Sequence, residues 1–133
     1  MHEPFSIDSV SSDLAILYIH GIMGSPLEFR RIAKALEDEN IHCKALLLPG
    51  HGSNGYDFAR TSVNCWQTHV IQEIGDLKKS QSKLILIGHS LGGLLALNTA
   101  IQYPVDWIFL LNTPIKIRIS FQQISMSLHV LSR

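Results

Sequence analysis

Apolar positions along this chain fall into short dense runs separated by longer spaced sets, and the two kinds alternate. Leu14-Ala15-Ile16-Leu17-Tyr18-Ile19, the stretch Ile41 to Leu48, Leu84-Ile85-Leu86-Ile87 and Trp107-Ile108-Phe109-Leu110-Leu111 are the dense runs. Runs with little polar alternation are the pattern of parallel strands covered on both faces. Between the first two runs, Leu27, Ile32, Ala35 and Leu36 recur at helical spacing among Arg30, Arg31, Lys34, Glu37 and Asp38. Between the next two, Trp66, Val70, Ile74 and Leu77 mark one face of a helix over about 62 to 79, ending in Lys78-Lys79, where positive charge suits the helix dipole. Leu94-Leu95-Ala96-Leu97 begins a third helix, which runs to about Gln102 and is broken by Tyr103-Pro104.

Local signals set several boundaries. Ser25-Pro26-Leu27-Glu28 reads as a helix start, with Ser25 as cap, Pro26 at the first helical position and Glu28 closing a capping box. Asn40 is the matching stop, and Pro49 to Gly55 is rich in turn residues. Residues 1–13 are polar and irregular apart from a short extended piece at Phe5-Ser6-Ile7. Strand–helix repeated three times and closed by a strand predicts an α/β fold, with a mostly parallel sheet, right-handed crossovers and helices on both faces. Such sheets bind ligands at the carboxyl ends of their strands. Both His20–Gly24 and Gly88–Gly93 leave such ends.

Composition narrows the class. The 133 residues suffice for one modest domain, and 46% hydrophobic against 17% charged residues implies a packed core. Eleven basic and eleven acidic residues balance, so no nucleic-acid partner is expected. No apolar run approaches a membrane span, and Met1-His2-Glu3-Pro4 lacks the start of a signal peptide. Cys43 and Cys65 read as reduced thiols, and the expected location is cytoplasmic. The histidines do not converge at ligand spacing, so neither a metal nor another cofactor is expected.

The candidate chemistry is Gly88-His89-Ser90-Leu91-Gly92, a G-x-S-x-G sequence between a predicted strand and a predicted helix. In that context it reads as a nucleophile elbow, in which Ser90 sits strained at a tight turn and Gly88 and Gly92 have no room for a side chain. Alone the motif also fits an ordinary strand-to-helix loop; the strand and helix around it favour the elbow.

Three motifs in this order, His20-Gly21-Ile22-Met23-Gly24-Ser25-Pro26, Leu48-Pro49-Gly50-His51-Gly52 and Gly88-His89-Ser90-Leu91-Gly92-Gly93, resemble the α/β-hydrolase superfamily. The resemblance covers about residues 4–115. It is closest to small bacterial carboxylesterases and monoacylglycerol lipases, relatives of the serine-aminopeptidase-like hydrolases. It implies Ser90 as the nucleophile, acylated by a carboxylic ester or acylglycerol. It implies an oxyanion hole from the backbone N–H groups of Ile22 and Leu91, each donor being worth about 3–4 kcal/mol in such sites. It also implies that His20 holds its loop by hydrogen bonding, that His51 belongs to a structural turn, and that His89 lies near the site but points elsewhere. His2, His42 and His69 read as incidental.

The family pattern then stops. Its acid and histidine follow the serine, yet no Asp or Glu follows Asp106, which precedes the fourth strand and so belongs at the opposite end of the sheet. Asn112-Thr113 stand where some relatives place the acid, and His129 reads as a tail residue. Residues 116–133 stay unassigned, as tail or start of a cap. Ile115, Ile117, Ile119 and Phe121 alternate as in an extended segment, whereas Ile124, Leu128 and Leu131 sit at helical spacing. Residues 1–133 therefore read as a single incomplete domain, the N-terminal portion of the hydrolase fold cut short. The expected strand order is second, first, third, fourth, with the open edge of the fourth able to pair with another chain. Two functions follow: a serine ester hydrolase impaired by the lack of an acid and a histidine, or a non-catalytic binding module or half of a split protein.

Overall fold

Leu14–Ile19 (β2) lies at the middle of a five-stranded sheet. The computed structural model describes residues 2–9 and 11–116. The alternation at 117–121, the helical spacing at 124–131 and His129 lie outside the described residues. The other strands are Phe5–Ile7 (β1), His42–Ala45 (β3), Lys83–His89 (β4) and Trp107–Leu111 (β5). Their order is β1-β3-β2-β4-β5. All neighbours are parallel except β1, which runs antiparallel to β3. This is the predicted order with the short Phe5–Ile7 piece added at one edge.

Alternate residues of β2 feed two cores. Ala15, Leu17 and Ile19 join Leu84 and Leu86 beneath two helices, Val63–Leu77 (α3) and Leu91–Gln102 (α4), whose Trp66, Val70, Ile74, Leu95 and Ala96 are buried there. Ile16 and Tyr18 point the other way, onto Phe29 and Ala33 of the segment around Arg30–Ala35 (α1). Tyr18 stacks on Phe29 with ring centroids 5.0 Å apart. Each fully buried aliphatic side chain contributes about 1.5–3 kcal/mol relative to exposure.

Three elements differ from the sequence pattern. The helix expected from Ser25 is a 3-10 turn (Pro26–Phe29), then α1, then a second 3-10 turn (Glu37–Glu39). Three acidic residues at its carboxyl end oppose the helix dipole, and Asn40 stops it in the left-handed region at φ 54°. β3 ends at Ala45, short of Leu48. Beyond Ala45, the Leu46 N–H reaches the Tyr18 carbonyl (3.2 Å), but the Leu48 N–H donates to the His20 ring, and the ladder ends there. A five-residue helix, Gly55–Ala59 (α2), follows the turn-rich loop; Asn54 caps it by accepting from the N–H groups of Tyr56 and Asp57.

Among the described residues, β5 forms the second edge of the sheet. Trp107 and Phe109, in register with Ile85 and Ile87 on the α1 side, are half exposed.

Leu86→Ala removes a fully buried side chain between β4 and α3/α4. It should lower the unfolding free energy by about 2–5 kcal/mol in urea titration. Ile101→Ala, at a site 83% exposed, should change it by less than about 0.5 kcal/mol.

Candidate active site

The sheet register builds the site. Ile19 pairs with Gly88 and His89 pairs with Leu111, so β2, β4 and β5 end at one edge. The loop after β2 and the turn after β4 therefore meet.

Ser90 occupies that turn at φ 52°, ψ −117°, a conformation costly for any residue with a side chain. The surroundings hold it there. The Ser90 N–H donates to the Leu111 carbonyl (2.9 Å), and the Gly93 N–H donates to the Ser90 carbonyl (3.1 Å). A Cβ at Gly88 would lie 2.5 Å from the Gly92 carbonyl oxygen, and one at Gly92 would lie 2.0 Å from the Ile19 carbonyl oxygen. Neither position has room for a side chain, as the motif predicts. The Ser90 side chain caps no helix N–H. Ser90 is half-buried, at the edge where its hydroxyl can be reached.

The loop after β2 lies against this turn. A Cβ at Gly21 would fall 3.2 Å from Ser90 Cβ. Ile22 and Met23, at its tip, are 56% and 73% exposed, and Met23 has φ 56°. The Gly24 N–H closes the tip onto the Gly21 carbonyl (3.0 Å). Leu91 opens α4, so its N–H has no intrahelical acceptor. The two N–H groups named from the sequence therefore stand on adjoining pieces of backbone.

His20 fixes the base of the loop. It is fully buried; its Nε2 accepts the Leu48 N–H (3.0 Å), which leaves Nδ1 to carry the proton and donate to the Gly21 carbonyl (2.8 Å). Burial pushes its basicity below that of an ordinary histidine. A protonated ring would also oppose one N–H to another. His20 is thus a neutral bridge from strand end to loop. His51 packs edge-on against it at 5.0 Å, with Nδ1 3.2 Å from the Pro49 carbonyl. Trp66 donates its indole N–H to the same Pro49 carbonyl (2.9 Å).

His89 engages Glu28 through its ring. Its Nδ1 contacts Glu28 Oε2 at 2.7 Å, and Glu28 Oε1 accepts the Ser25 N–H (3.2 Å). The capping pattern at Ser25–Glu28 points to the second contact; nothing in the linear sequence points to the first. His42 contacts Asp8 at 3.5 Å and His69 contacts Glu73 at 3.9 Å, both away from Ser90. Asp106 Oδ2 accepts the Leu84 N–H (2.7 Å) near the start of β4, the end opposite Ser90. A cleft of about 180 Å³ beside the loop is lined by Met23, Gly24, His51, Asn54 and Phe58, and not by Ser90.

A mostly parallel sheet with a strained serine at a strand-to-helix turn is the setting in which nucleophile elbows occur. The chain belongs to the alpha/beta hydrolase family, whose model matches residues 16–127. It is 30% identical over 102 residues to a thermostable monoacylglycerol lipase of Bacillus sp. (strain H-257), covering 77% of this chain and 40% of that one. It is 26% identical over 117 residues to a carboxylesterase of Bacillus subtilis (strain 168), covering 87% and 47%. A solved structure of the metagenome-derived lipolytic enzymes LipS and LipT superimposes with a TM-score of 0.81 at 26% identity, over 89% of this chain and 48% of that one. The chain thus spans less than half the length of each of these relatives.

Two outcomes test the geometry. Gly92→Ala should strongly destabilise the fold, because the new methyl group meets backbone. Gly75→Ala, in α3 with nothing within 4 Å of the added atom, should stabilise it by about 0.5–1 kcal/mol. Chemical denaturation of both reads the contrast. As pH falls below 6.5, His20 takes up its proton in the unfolded chain before it does in the folded one, where burial holds its basicity down. The unfolded state then binds more protons, so His20 contributes a loss of stability on acidification. Subtracting the stability–pH curve of His20→Gln from that of the wild type should show this fall.

Proposed function

We propose that this chain carries the nucleophile and the oxyanion donors of a serine ester hydrolase acting on simple carboxylic esters or acylglycerols. The observation that carries the reading is Ser90 at φ 52°, ψ −117° between two glycines with no room for a side chain. Conformational strain at one serine, held from both flanks, is what a nucleophile elbow requires. The names of the lipase and carboxylesterase relatives support the substrate class.

In the proposed reaction, Ser90 Oγ bonds to the ester carbonyl carbon. The oxygen left negative is received by the N–H groups of Ile22 and Leu91. The alcohol then departs with the serine proton, and water cleaves the acyl–serine bond to release the acid. A serine hydroxyl is a weak nucleophile without a base. The His89 ring is committed to Glu28, and Asp106 lies at the far end of β4. The chain by itself should therefore turn over slowly. The same two placements favour the second reading, a binding module or partial assembly that keeps the elbow without the reaction.

Labelling with a fluorophosphonate separates the readings, because Ser90 Oγ must displace fluoride from phosphorus to be modified. Intact-mass and peptide spectrometry should find slow addition of one phosphonyl group at Ser90 and none in Ser90→Ala. Hydrolysis of p-nitrophenyl acetate should exceed the Ser90→Ala background only slightly. Equal labelling of both proteins, or labelling at another residue, would overturn the assignment of Ser90.

A further inference from the structure

The two proposed oxyanion donors sit on different elements, Ile22 on the loop after β2 and Leu91 at the start of α4. Both N–H groups must lie about 2.7–3.1 Å from one oxygen, so their separation has to be held closely. The packing of the loop tip does not hold it, because Ile22 and Met23 are largely exposed. Gly92 against the Ile19 and His20 carbonyls, and Gly21 against Ser90, set the base of the loop on the elbow but leave its tip unheld.

One carboxylate spans the gap. Glu28 Oε1 accepts the N–H of Ser25, the residue following the tip, and Glu28 Oε2 meets Nδ1 of His89, the residue preceding Ser90. The carboxylate also underlies the tip, since a Cβ at Gly24 would lie 2.0 Å from Glu28 Oε1. The His89 ring flanks the other end of the loop, with Nδ1 3.4 Å from where a Gly21 Cβ would be. Loop and elbow are thus tied at both ends of the tip through a single pair of side chains. A residue that served only to cap the Pro26–Phe29 turn would need Oε1 alone.

We infer that Glu28 and His89 form a strap that positions the Ile22 and Leu91 donors relative to each other. Neither touches the reacting atoms, so both are positioning residues. The inference rests on the reading of Ser90 and its donors given above.

Two measurements test it, one of them independent of any reaction. In native-state hydrogen exchange, Glu28→Ala and His89→Ala should each speed exchange of the Gly24 N–H at least about tenfold, leaving the Val70 N–H in α3 unchanged. The double variant should do no more than either single one, because each side chain acts through the other. In saturation kinetics of fluorophosphonate labelling, both alanine variants should lower the maximal rate about tenfold with little change in half-saturating concentration. Glu28→Gln should recover most of that rate, since its amide oxygen can take the Ser25 N–H while its NH₂ group serves Nδ1 of the other ring tautomer. A Gly24 N–H that exchanges at the wild-type rate in His89→Ala would overturn the strap. A wild-type chain that is not labelled at Ser90, with the exchange results as expected, would overturn the nucleophile and leave the strap as a tie between loop and elbow.

Discussion

The approach of α4 to the end of β2 is the constraint on which the rest depends. A Cβ at Gly92 would sit 2.0 Å from the Ile19 carbonyl oxygen and 2.6 Å from that of His20. That contact brings the first turn of α4 to the loop carrying Ile22. Glycine in a helix costs about 1 kcal/mol against alanine, and α4 has two in its first turn. The burial of Leu95, Ala96 and Thr99 behind them offsets that cost. Core packing thus supports a helix start whose local sequence is poor for a helix but necessary for the turn.

The polar ties around the site are of two kinds, and their environments decide what each can do. His20 is buried and neutral, with a partner on each nitrogen, so it acts as a fixed spacer. Its value lies in the cost of leaving those partners unmet in the interior. Glu28 and His89 are each about a third exposed, so their attraction is screened and adds little to global stability. Such a pair can still set a distance, because its contribution is geometric. The interior therefore holds the fold, and a modest surface pair is enough to hold an exposed loop tip within it.

The sheet was legible in the sequence because its signals are local. Four dense apolar runs read as strands, and each holds one, though only His42–Ala45 of the second run forms it. The tight turn at Ser90 was legible for the same reason: Gly88 and Gly92 report their own crowding. Elements without periodicity were less so. α2 has five residues, too few to show a helical face, and the breaks around α1 depend on how Leu36 and Asn40 settle. The Glu28–His89 contact was invisible because it joins residues 61 apart in the chain, and only the fold brings them together. Glu28 reads as a capping residue, and that role by itself gives no reason to expect a second partner.

β5 shows why the site cannot be assigned to the elbow alone. The Ser90 N–H takes its acceptor from Leu111, and a Cβ at Gly93 would lie 1.8 Å from Thr113 Oγ1. The strained serine is therefore propped on one side by β2 and on the other by β5 and the residues after it. Among the described residues β5 is also an edge strand, with half-exposed Trp107 and Phe109 on its α1 side. The Leu111 carbonyl thus joins the strained turn at Ser90 to β5, beside the Gly93 bond and the crowding at Gly88 and Gly92 that hold the same turn.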